Sequence, residues 1–519
     1  MLAGACVQRE TPGMQGRSEP NRELLDAAAL CRQLVPEGSV EAFLADHRQE
    51  LFPDSMFEDL FPSGRGRPSV PAEVMASVMV LQSLEGLSDR DAARALTDRI
   101  SWKVACGLAL DEEGFHPTVL TYWRNRLRAS ERPERVFDAV RRVVEATGVL
   151  KHKTRRALDS TLLDDAVATQ DTVTQIISAI RRVRREVPQA TGITLAAYDY
   201  DAGAKPMIAW DDPVAKHALV SALVTDALAL LDALTKEELT PEQTDSVGLL
   251  ALVAGQDVEP GEDPGTWRIA QKVAPDRVVS TVDPEARHMH KSSSHYRDGY
   301  KAHIAVEPDT GIITAAALTP ANAADGPTGV ALLEGEAPGL EILADSAYGS
   351  GETRAALQEA EHRSTIKPIP LRSAVPEGFT IDDFAIDTTA GTVTCPQGQT
   401  VHINRTGYAS FGPRCRGCPL RDRCTRSPRG RKINVHPHHD LMLAARRAAE
   451  TEEFKVPYRR HRPMVERSIA WLVADGHRRV RYRGVARNQL GLSMRVAAIN
   501  LRRLINLGLD HEGGWMLGT

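Results

Sequence analysis

Three acidic residues far apart in the chain stand in settings that could bring them to one catalytic site. Asp159 follows the apolar pair Ala157-Leu158, and Asp345 follows Ile342-Leu343-Ala344, so each is predicted to end a short strand. Glu466 lies in a helical pattern among arginines. Carboxylate oxygens suit a hard divalent ion such as Mg²⁺, and arginine binds phosphate through paired N–H bonds. The combination indicates metal-dependent chemistry on a nucleic-acid backbone.

Other acids near each candidate compete with this assignment. Asp164 and Asp165 are close to the first aspartate but lie beyond the predicted end of its strand. Asp325 could replace the second aspartate, but it opens a predicted helix, where capping is the simpler role. Three glutamates near the candidate glutamate belong to a run typical of a solvated helix face. They are Glu450, Glu452 and Glu453.

Four of the seven cysteines fall within 30 residues, at Cys395, Cys415, Cys418 and Cys424. In a cytosolic chain such a cluster predicts a metal site before a disulfide. Four thiolates, two of them in a CxxC turn, match a closed structural zinc site. Reduced thiols in a loop are the alternative, and a nearby histidine could replace one ligand. These histidines are His436, His438 and His439. The other three cysteines, Cys6, Cys31 and Cys106, are scattered along the chain.

Basic residues are concentrated in the last third of the chain. The whole chain has a formal net charge of −5, but residues 401–510 contain 24 Lys and Arg against 8 Asp and Glu. Binding of polyanions follows local fields rather than the total charge, so this region is predicted to contact nucleic acid. A solvated arginine face is the alternative. The arginines expected to contact DNA here are Arg462, Arg467, Arg478, Arg479 and Arg481.

The N-terminal part of the chain is predicted to be helical. Ala72 to Leu84 is apolar with helical spacing, and Ser88 is suited to cap the next helix. The segment from His116 to Arg128 opens with Pro and Thr and continues as a short basic helix, like the recognition helix of a helix-turn-helix unit. Arg124 and Arg126 are then expected to contact DNA. An ordinary small helical bundle is the alternative.

The first 20 residues are polar and rich in Pro and Gly, without the apolar core of a signal peptide, so they are predicted to form a loose tail. The chain has no run of about 18 uncharged apolar residues, as a membrane span requires. Its 42% hydrophobic and 26% charged residues are ordinary for a globular protein. We therefore expect a cytoplasmic protein without membrane association.

The remaining elements alternate in type. Asp298 to Val306 and Ile312 to Leu318 are predicted strands, joined by the turn Glu307 to Gly311 into a hairpin. Further strands and helices predict an α/β fold with a mixed sheet flanked by helices. The predicted strands are 340–344 and 363–368, and the predicted helices are 172–187, 213–234, 325–333, 351–361, 464–473 and 490–507.

These patterns divide the chain into a tail, an all-α domain and an α/β domain with two insertions. The predicted boundaries are 1–20 for the tail, 21–150 for the helical DNA-binding domain, 151–510 for the catalytic domain, 166–285 for its helical insertion and 370–445 for its cysteine-rich insertion.

Three carboxylates that converge from distant segments can hold two Mg²⁺ ions about 3.5–4 Å apart.

The order of the motifs resembles the DDE transposases of bacterial insertion sequences, whose catalytic domain is RNase H-like. Each motif is short, but the order is specific. The motifs are the helical region 87–127, Leu158-Asp159-Ser160-Thr161, Gly299-Tyr300-Lys301-Ala302-His303, Pro320-Ala321-Asn322, Ala344-Asp345-Ser346-Ala347-Tyr348-Gly349, Glu466-Arg467, the arginine-rich run 478–484 and Asn500-Leu501-Arg502-Arg503-Leu504.

The resemblance implies that Asp159, Asp345 and Glu466 bind the two Mg²⁺ ions, with Mn²⁺ able to substitute. It implies that the cysteine segment is an insertion between the last strand and the helix of the glutamate. It also implies a homodimer that acts on double-stranded DNA, both terminal inverted repeats and target DNA, in the bacterial cytoplasm at the nucleoid. Such an enzyme would cut and join phosphodiester bonds.

The chain departs from the family pattern around the glutamate. Related transposases often carry a Tyr, an Arg and a Lys at set distances from it. Here Arg462 stands four residues before Glu466, but Arg459 holds the tyrosine position, with Tyr458 beside it, and Val473 replaces the lysine. Three other residues could take the phosphate-binding role. They are His477, Arg478 and Arg481.

Two other functions remain open on the sequence. A catalytically inactive DNA-binding protein derived from such an enzyme would bind DNA in a salt-sensitive manner without metal-dependent nicking. A plain metal-dependent nuclease would cut DNA without joining it.

Overall fold

The computed structural model describes residues 15–18, 25–63, 68–271, 274, 276–292 and 295–518. The first part of the chain is helical, as predicted. Its helices are α1 (Ala27–Cys31), α2 (Val40–Leu51), α3 (Ala72–Glu85), α4 (Asp89–Asp98), α5 (Ile100–Cys106), α6 (Thr118–Ala129) and α7 (Arg135–Thr147). Ser88 caps α4 as predicted, because its hydroxyl accepts the N–H of Asp91 at 3.1 Å.

Part of the predicted tail is packed rather than loose. Gln15 is buried, and its amide donates to the backbone oxygen of Asp54 at 3.0 Å. The prediction was wrong at this point because a polar side chain can be buried where it finds a backbone partner. The other residues of the predicted tail, with Cys6, lie outside the described residues.

The strand β1 (Arg155–Asp164) is followed by a helical region with a hydrophobic core of its own. This region contains α8 (Thr172–Glu186), α9 (Pro213–Leu234), α10 (Pro241–Gln256), β2 (Val258–Pro260) and β3 (Trp267–Ile269). Among the described residues, α9 is long and apolar enough to cross a membrane by length and composition alone, a test that core helices also pass. Asp226 in this helix is buried and accepts a hydrogen bond from the hydroxyl of Tyr200 at 2.8 Å.

The chain then completes a mixed sheet. Its elements are β4 (Arg287–Ser292), β5 (His295–Val306), β6 (Ile313–Pro320), α11 (Asp325–Ala331), β7 (Glu341–Ala344), α12 (Gly351–Glu359) and β8 (Arg363–Ile366). The strand order is β4-β5-β1-β7-β8, with β6 also paired to β5. The pairs that involve β5 are antiparallel, whereas β1 with β7 and β7 with β8 are parallel. The fold is therefore mixed α/β, as predicted.

A cysteine-containing segment and a group of helices follow the sheet. They comprise β9 (Ala385–Asp387), β10 (Thr392–Thr394), β11 (Thr400–His402), β12 (Tyr408–Ser410), α13 (Arg421–Cys424), β13 (Lys432–Asn434), α14 (His439–Ala449), α15 (Glu452–His461), α16 (Pro463–Val473), α17 (Val485–Asn506), β14 (Leu509–His511) and β15 (Trp515–Leu517).

The sheet lies between two layers of helices. Buried side chains of α16 and α17 pack on one face, and those of α12 and the segment before β7 pack on the other. The helix α17 also belongs to the core of the N-terminal helices, through residues such as Leu490, Met494 and Leu501. The N-terminal helices and the sheet are thus joined by one shared helix.

The prediction that Asp159 ends its strand was wrong. The strand β1 runs to Asp164, so Asp159 lies in its middle. The polar run after Asp159 stays extended because β5 pairs with β1 from Ala157 to Asp164. Gly299 allows this close pairing, since its φ is +145° and a Cβ there would lie 2.2 Å from the backbone oxygen of Leu163.

Candidate active site

Asp159 and Asp345 are brought side by side by two parallel strands. Ala157 of β1 pairs with Leu343 of β7, and the same register continued by two residues sets Asp345, directly after β7, beside Asp159. Neighbouring strands lie about 4.8 Å apart. Burial raises the pKa of Asp159, and the nearby charge of Asp345 raises it further. The two carboxylates are therefore close enough to interact electrostatically.

The guanidinium of Arg462 lies between the first aspartate and the glutamate. Its Nη2 atom is 3.0 Å from Asp159 Oδ2, and its Nη1 atom is 3.9 Å from Glu466 Oε1. Burial lowers the pKa of Arg462, but the charges of Asp159 and Asp345 outweigh this effect and raise it overall. Arg462 is thus a cation that the three acids share.

Glu466 reaches this position from the exposed side of α16. Val465 and Leu472 of the same helix are buried against the sheet, while the Glu466 side chain is 66% exposed. Tyr458 of α15 is also close: burial raises its pKa, Arg462 lowers it, and Asp345 and Glu466 raise it again. Tyr458 thus lies near the acids, one residue before the position expected from the family pattern.

The acid site contains the oxygen ligands of a divalent-metal site, but its carboxylates are not yet arranged around one metal position. Among the described residues, no group of three or more His, Cys, Asp or Glu side chains is arranged to hold a metal ion. Three carboxylates offer the hard oxygen ligands that Mg²⁺ prefers. The side chain of Arg462 is 6% exposed, and its Nε and Nη1 atoms have no hydrogen-bond partner within the described structure. These buried donors point to an acceptor that arrives with a ligand.

Asp325, considered as a capping residue in the sequence, has another role. The cap position of α11 is Ala324, and no side chain caps this helix. The carboxylate of Asp325 instead accepts a hydrogen bond from Ser160, the residue after Asp159, at 2.6 Å. Lys301, in the Gly299-to-His303 motif, also donates to Asp325, at 3.3 Å. No signal in the sequence indicated either contact.

The four cysteines of the cluster line one small cavity of about 20 Å³, although they do not form a preassembled metal site. Burial raises the pKa of Cys424, Arg431 lowers it, and Cys415, Cys395 and Cys418 raise it again, so the four thiols are close neighbours. The backbone N–H of Arg431 donates to Cys415 Sγ at 3.4 Å. The six cysteines that the structure describes form no disulfide.

The three histidines considered as alternative ligands lie elsewhere. None of them lines the cysteine cavity, and His436 Nε2 is 2.9 Å from Glu352 Oε1, at the start of α12. A Cβ added to Gly351 would lie 2.6 Å from the His436 ring. The end of the cysteine segment therefore packs against the helix that follows Asp345.

The two arginines of α6 have different surroundings. Arg124 is paired with Asp89 and is hydrogen-bonded to Gln82 at 3.3 Å, with its side chain 12% exposed. Arg126 is exposed, packs over the ring of Phe61 and donates to a backbone oxygen at 3.3 Å. Arg124 is thus committed to a contact between helices, whereas Arg126 remains open to a ligand.

The arginine-rich run after α16 binds the protein's own backbone. Arg478 donates to Leu162 O at 2.9 Å, Arg479 to Asp165 O at 3.0 Å, and Arg481 to the turn between α3 and α4. His477 Nε2 is 2.9 Å from Ser83 O, and burial together with nearby arginines lowers the pKa of His477 to about 4. This run fastens β1 to the N-terminal helices, and His477 is neutral at physiological pH.

Arg467 of α16 differs from these residues. It is exposed and makes no ion pair among the described residues. It lies near Arg503: burial lowers the pKa of Arg503, and the charge of Arg467 lowers it further. Of the arginines near the acids, Arg467 is therefore free to meet a phosphate.

Two family models match the chain. "Transposase domain (DUF772)" matches residues 30–126, which include α2 to α5 and most of α6. "Transposase DDE domain" matches residues 394–505, which include the four clustered cysteines and Glu466. Asp159 and Asp345 lie outside both matches. No curated protein and no solved structure matches the chain.

Proposed function

We propose that this chain, which belongs to the DDE transposases of insertion sequences, cuts and joins DNA with Asp159, Asp345 and Glu466. The observation that carries the proposal is the convergence of these acids on Arg462, from two neighbouring strands and a helix. Members of this class cleave DNA, so the carboxylates are assigned to that chemistry.

The sheet supports an RNase H-like catalytic domain. Three antiparallel strands, β6, β5 and β1, are followed along the sheet by the parallel strands β7 and β8, with helices on both faces. In this arrangement the first acid lies in the central strand and the second at the end of its parallel neighbour.

The three carboxylates would hold divalent cations, Mg²⁺ or Mn²⁺, through their oxygen atoms. Such ions, two in the family mechanism, would supply activation of an attacking water or 3′-hydroxyl and stabilisation of the leaving oxygen. Because a guanidinium and a divalent cation repel each other at the same carboxylates, Arg462 must give up its contact with Asp159 when the cations bind. Its unpartnered N–H groups are then available to a phosphate oxygen.

The cysteine segment would hold one structural zinc ion. Its four thiols border one cavity, and the backbone N–H bond to Cys415 Sγ is of the kind that stabilises a thiolate. The hydrophobic cluster of this segment contains eight buried residues, a small core for an independent unit. A metal ion would stabilise the segment where hydrophobic burial does not suffice.

DNA would be bound by the exposed face of α6 and by the basic face around Glu466. Arg126 and Arg467 are exposed, and they are the best placed of the predicted contacts because the other exposed ones, Arg479 and Arg481, donate to backbone oxygens of distant segments. The terminal inverted repeats and the target are the DNA partners of this class. We propose that two copies act together in the cytoplasm, at the nucleoid, on the likeness to these transposases alone.

A cleavage assay on labelled terminal DNA tests the proposal. The full chain with Mg²⁺ should nick the end of the element and join the free 3′-hydroxyl to a second DNA. Cutting without joining would support a plain nuclease. Salt-sensitive binding without any metal-dependent nicking would support an inactive DNA-binding relative and would contradict the enzyme assignment.

A further inference from the structure

The short helix α11 contacts the residues on both sides of Asp159. Asp325 Oδ1 accepts from Ser160 Oγ at 2.6 Å, and the Ser160 N–H donates to Asp159 Oδ1 at 2.8 Å. One turn later, Gly329 lies against Leu158, since a Cβ on this glycine would be 3.2 Å from Leu158 Cδ1. The first aspartate is therefore held between two neighbours that α11 fixes.

The same helix contacts the turn that follows Asp345. A Cβ on Gly329 would lie 2.7 Å from two ring atoms of Tyr348, whose side chain is fully buried. A Cβ on Gly326 would lie 2.1 Å from Thr353 Oγ1, at the start of α12. There is no space for a methyl group at either glycine without movement of a neighbour. One face of α11 thus rests on the segment that carries the second aspartate.

The position of α11 is itself fixed by buried polar contacts. Lys301 Nζ, on a side chain that is 4% exposed, donates to Asp325 Oδ2 at 3.3 Å and to Ala323 O at 2.7 Å. His303 is fully buried, with Nδ1 3.6 Å from Asp325 Oδ1 and Nε2 2.9 Å from Thr319 Oγ1. A buried charge is stable only when it is paired and hydrogen-bonded, so these groups hold one arrangement.

We propose that α11 is a positioning element of the acid site: Ser160–Asp325 and Gly329 together set the spacing between the Asp159 and Asp345 carboxylates. Neither Asp325 nor Gly329 touches the reacting groups, and both act through the residues next to the two aspartates. This inference rests on the proposed function, because it assigns a divalent cation to those carboxylates.

Manganese binding to the DNA-free full chain, measured by electron paramagnetic resonance, tests this proposal. Ser160→Ala removes one hydrogen bond with little change in volume, and Gly329→Ala pushes Leu158 and Tyr348 apart. Each should weaken Mn²⁺ binding by about tenfold or more, as is typical when the support of a metal ligand is lost. Binding to terminal DNA should stay unchanged, and strand cleavage should recover as Mn²⁺ is raised.

Two controls separate the possible outcomes. Gly248→Ala in α10 meets no atom within 4 Å and should leave Mn²⁺ binding unchanged. Asp159→Asn should abolish binding at the acid site; if it does not, the proposed function fails, whatever α11 does. Wild-type Mn²⁺ affinity in Ser160→Ala, with the Asp159→Asn control behaving as expected, overturns the positioning role, even where Gly329→Ala does not fold.

Discussion

The acid site gathers metal-ligand side chains from distant segments and the cysteine cavity gathers them from within 30 residues, and the two sites differ in how their charge is balanced. At the acid site a buried arginine contacts Asp159 at 3.0 Å and Glu466 at 3.9 Å. In the cysteine cavity the thiols surround a space of about 20 Å³, and burial raises the pKa of Cys424. Arg462 thus lies within ion-pair distance of two of the acids; burial raises the pKa of Asp159 overall, although the charge of Arg462 lowers it in part. In the cavity, the rise that burial causes in the pKa of the Cys424 thiol is offset in part by the nearby charge of Arg431.

This difference predicts two kinds of metal dependence. A cation that enters the acid site must displace a guanidinium, so its binding should be weak and reversible in the DNA-free protein. Zinc in the cysteine cavity would instead displace protons, because it binds the thiolate form of the cysteines. The first metal would serve the reaction and the second would serve folding.

The largest expected effect follows from removal of an acid. Asp345→Ala should lower the rate of strand cleavage about a thousandfold or more, because a metal ligand supports several kcal/mol of transition-state stabilisation and each 1.36 kcal/mol is a factor of ten. Single-turnover cleavage of labelled terminal DNA measures this rate, and end binding should persist. Glu453→Gln on the exposed face of α15 is the matched control. Cleavage at the wild-type rate in Asp345→Ala would remove the acid site from the mechanism.

The second effect concerns the cysteine cavity. The purified chain should contain about one zinc per molecule, since four thiolates complete a tetrahedral structural site. Cys418→Ser should lose the metal and open residues 385–435 to limited proteolysis. Cys31→Ser, outside the cluster, should keep the zinc. A metal-free wild-type chain that resists proteolysis at this segment would show that the thiols need no ion.

A smaller effect should separate Arg462 from its neighbour Arg467. Arg462→Gln removes the competing cation, so the DNA-free protein should bind Mn²⁺ more tightly, by at least about tenfold or 1.4 kcal/mol. Arg467→Gln changes the same charge on an exposed side chain of α16 and should leave Mn²⁺ affinity nearly unchanged. Equal or weaker affinity in Arg462→Gln would mean that the arginine supports metal binding instead of opposing it.

The smallest effects should divide the two arginines of α6. Arg124→Gln leaves Asp89 without its cation and should lower stability by about 1–3 kcal/mol, which a thermal or urea unfolding curve measures. Arg126→Gln should leave stability nearly unchanged. It should reduce the slope of the logarithm of the DNA-binding constant against the logarithm of salt concentration by about one. The reverse pattern would place the DNA contact at Arg124.

Much of the fold could be predicted because local patterns agree with it. The hairpin of β5 and β6 follows from strand residues on both sides of a turn that ends in Gly311, whose φ is +77°. The helix of Glu466 follows from the spacing of Val465 and Leu472, both buried. Each of these signals lies within about twenty residues of the chain, so no distant contact is needed to predict the element.

The surroundings of the acids could not be predicted in the same way. A sequence does not show which group an arginine will bind. Arg478 and Arg479 donate to backbone oxygens about 315 residues away in the chain. Asp159 was predicted to end its strand because it follows the short apolar pair Ala157-Leu158, whereas pairing with β5 keeps the chain extended as far as Asp164. The contact of Asp325 with Ser160 likewise depends on how the strands assemble.

The central claim, that one divalent-cation site is built by Asp159, Asp345 and Glu466, is tested most directly by iron-directed cleavage of the polypeptide. Fe²⁺ bound in place of Mg²⁺ reduces added hydrogen peroxide to hydroxide and a hydroxyl radical, with ascorbate to regenerate Fe²⁺, and the radicals cut the chain close to the ion. The account predicts cuts near residues 159, 345 and 466 together, stronger in Arg462→Gln and absent in Asp159→Asn. Cuts confined to other segments, unaffected by Asp159→Asn, would contradict it.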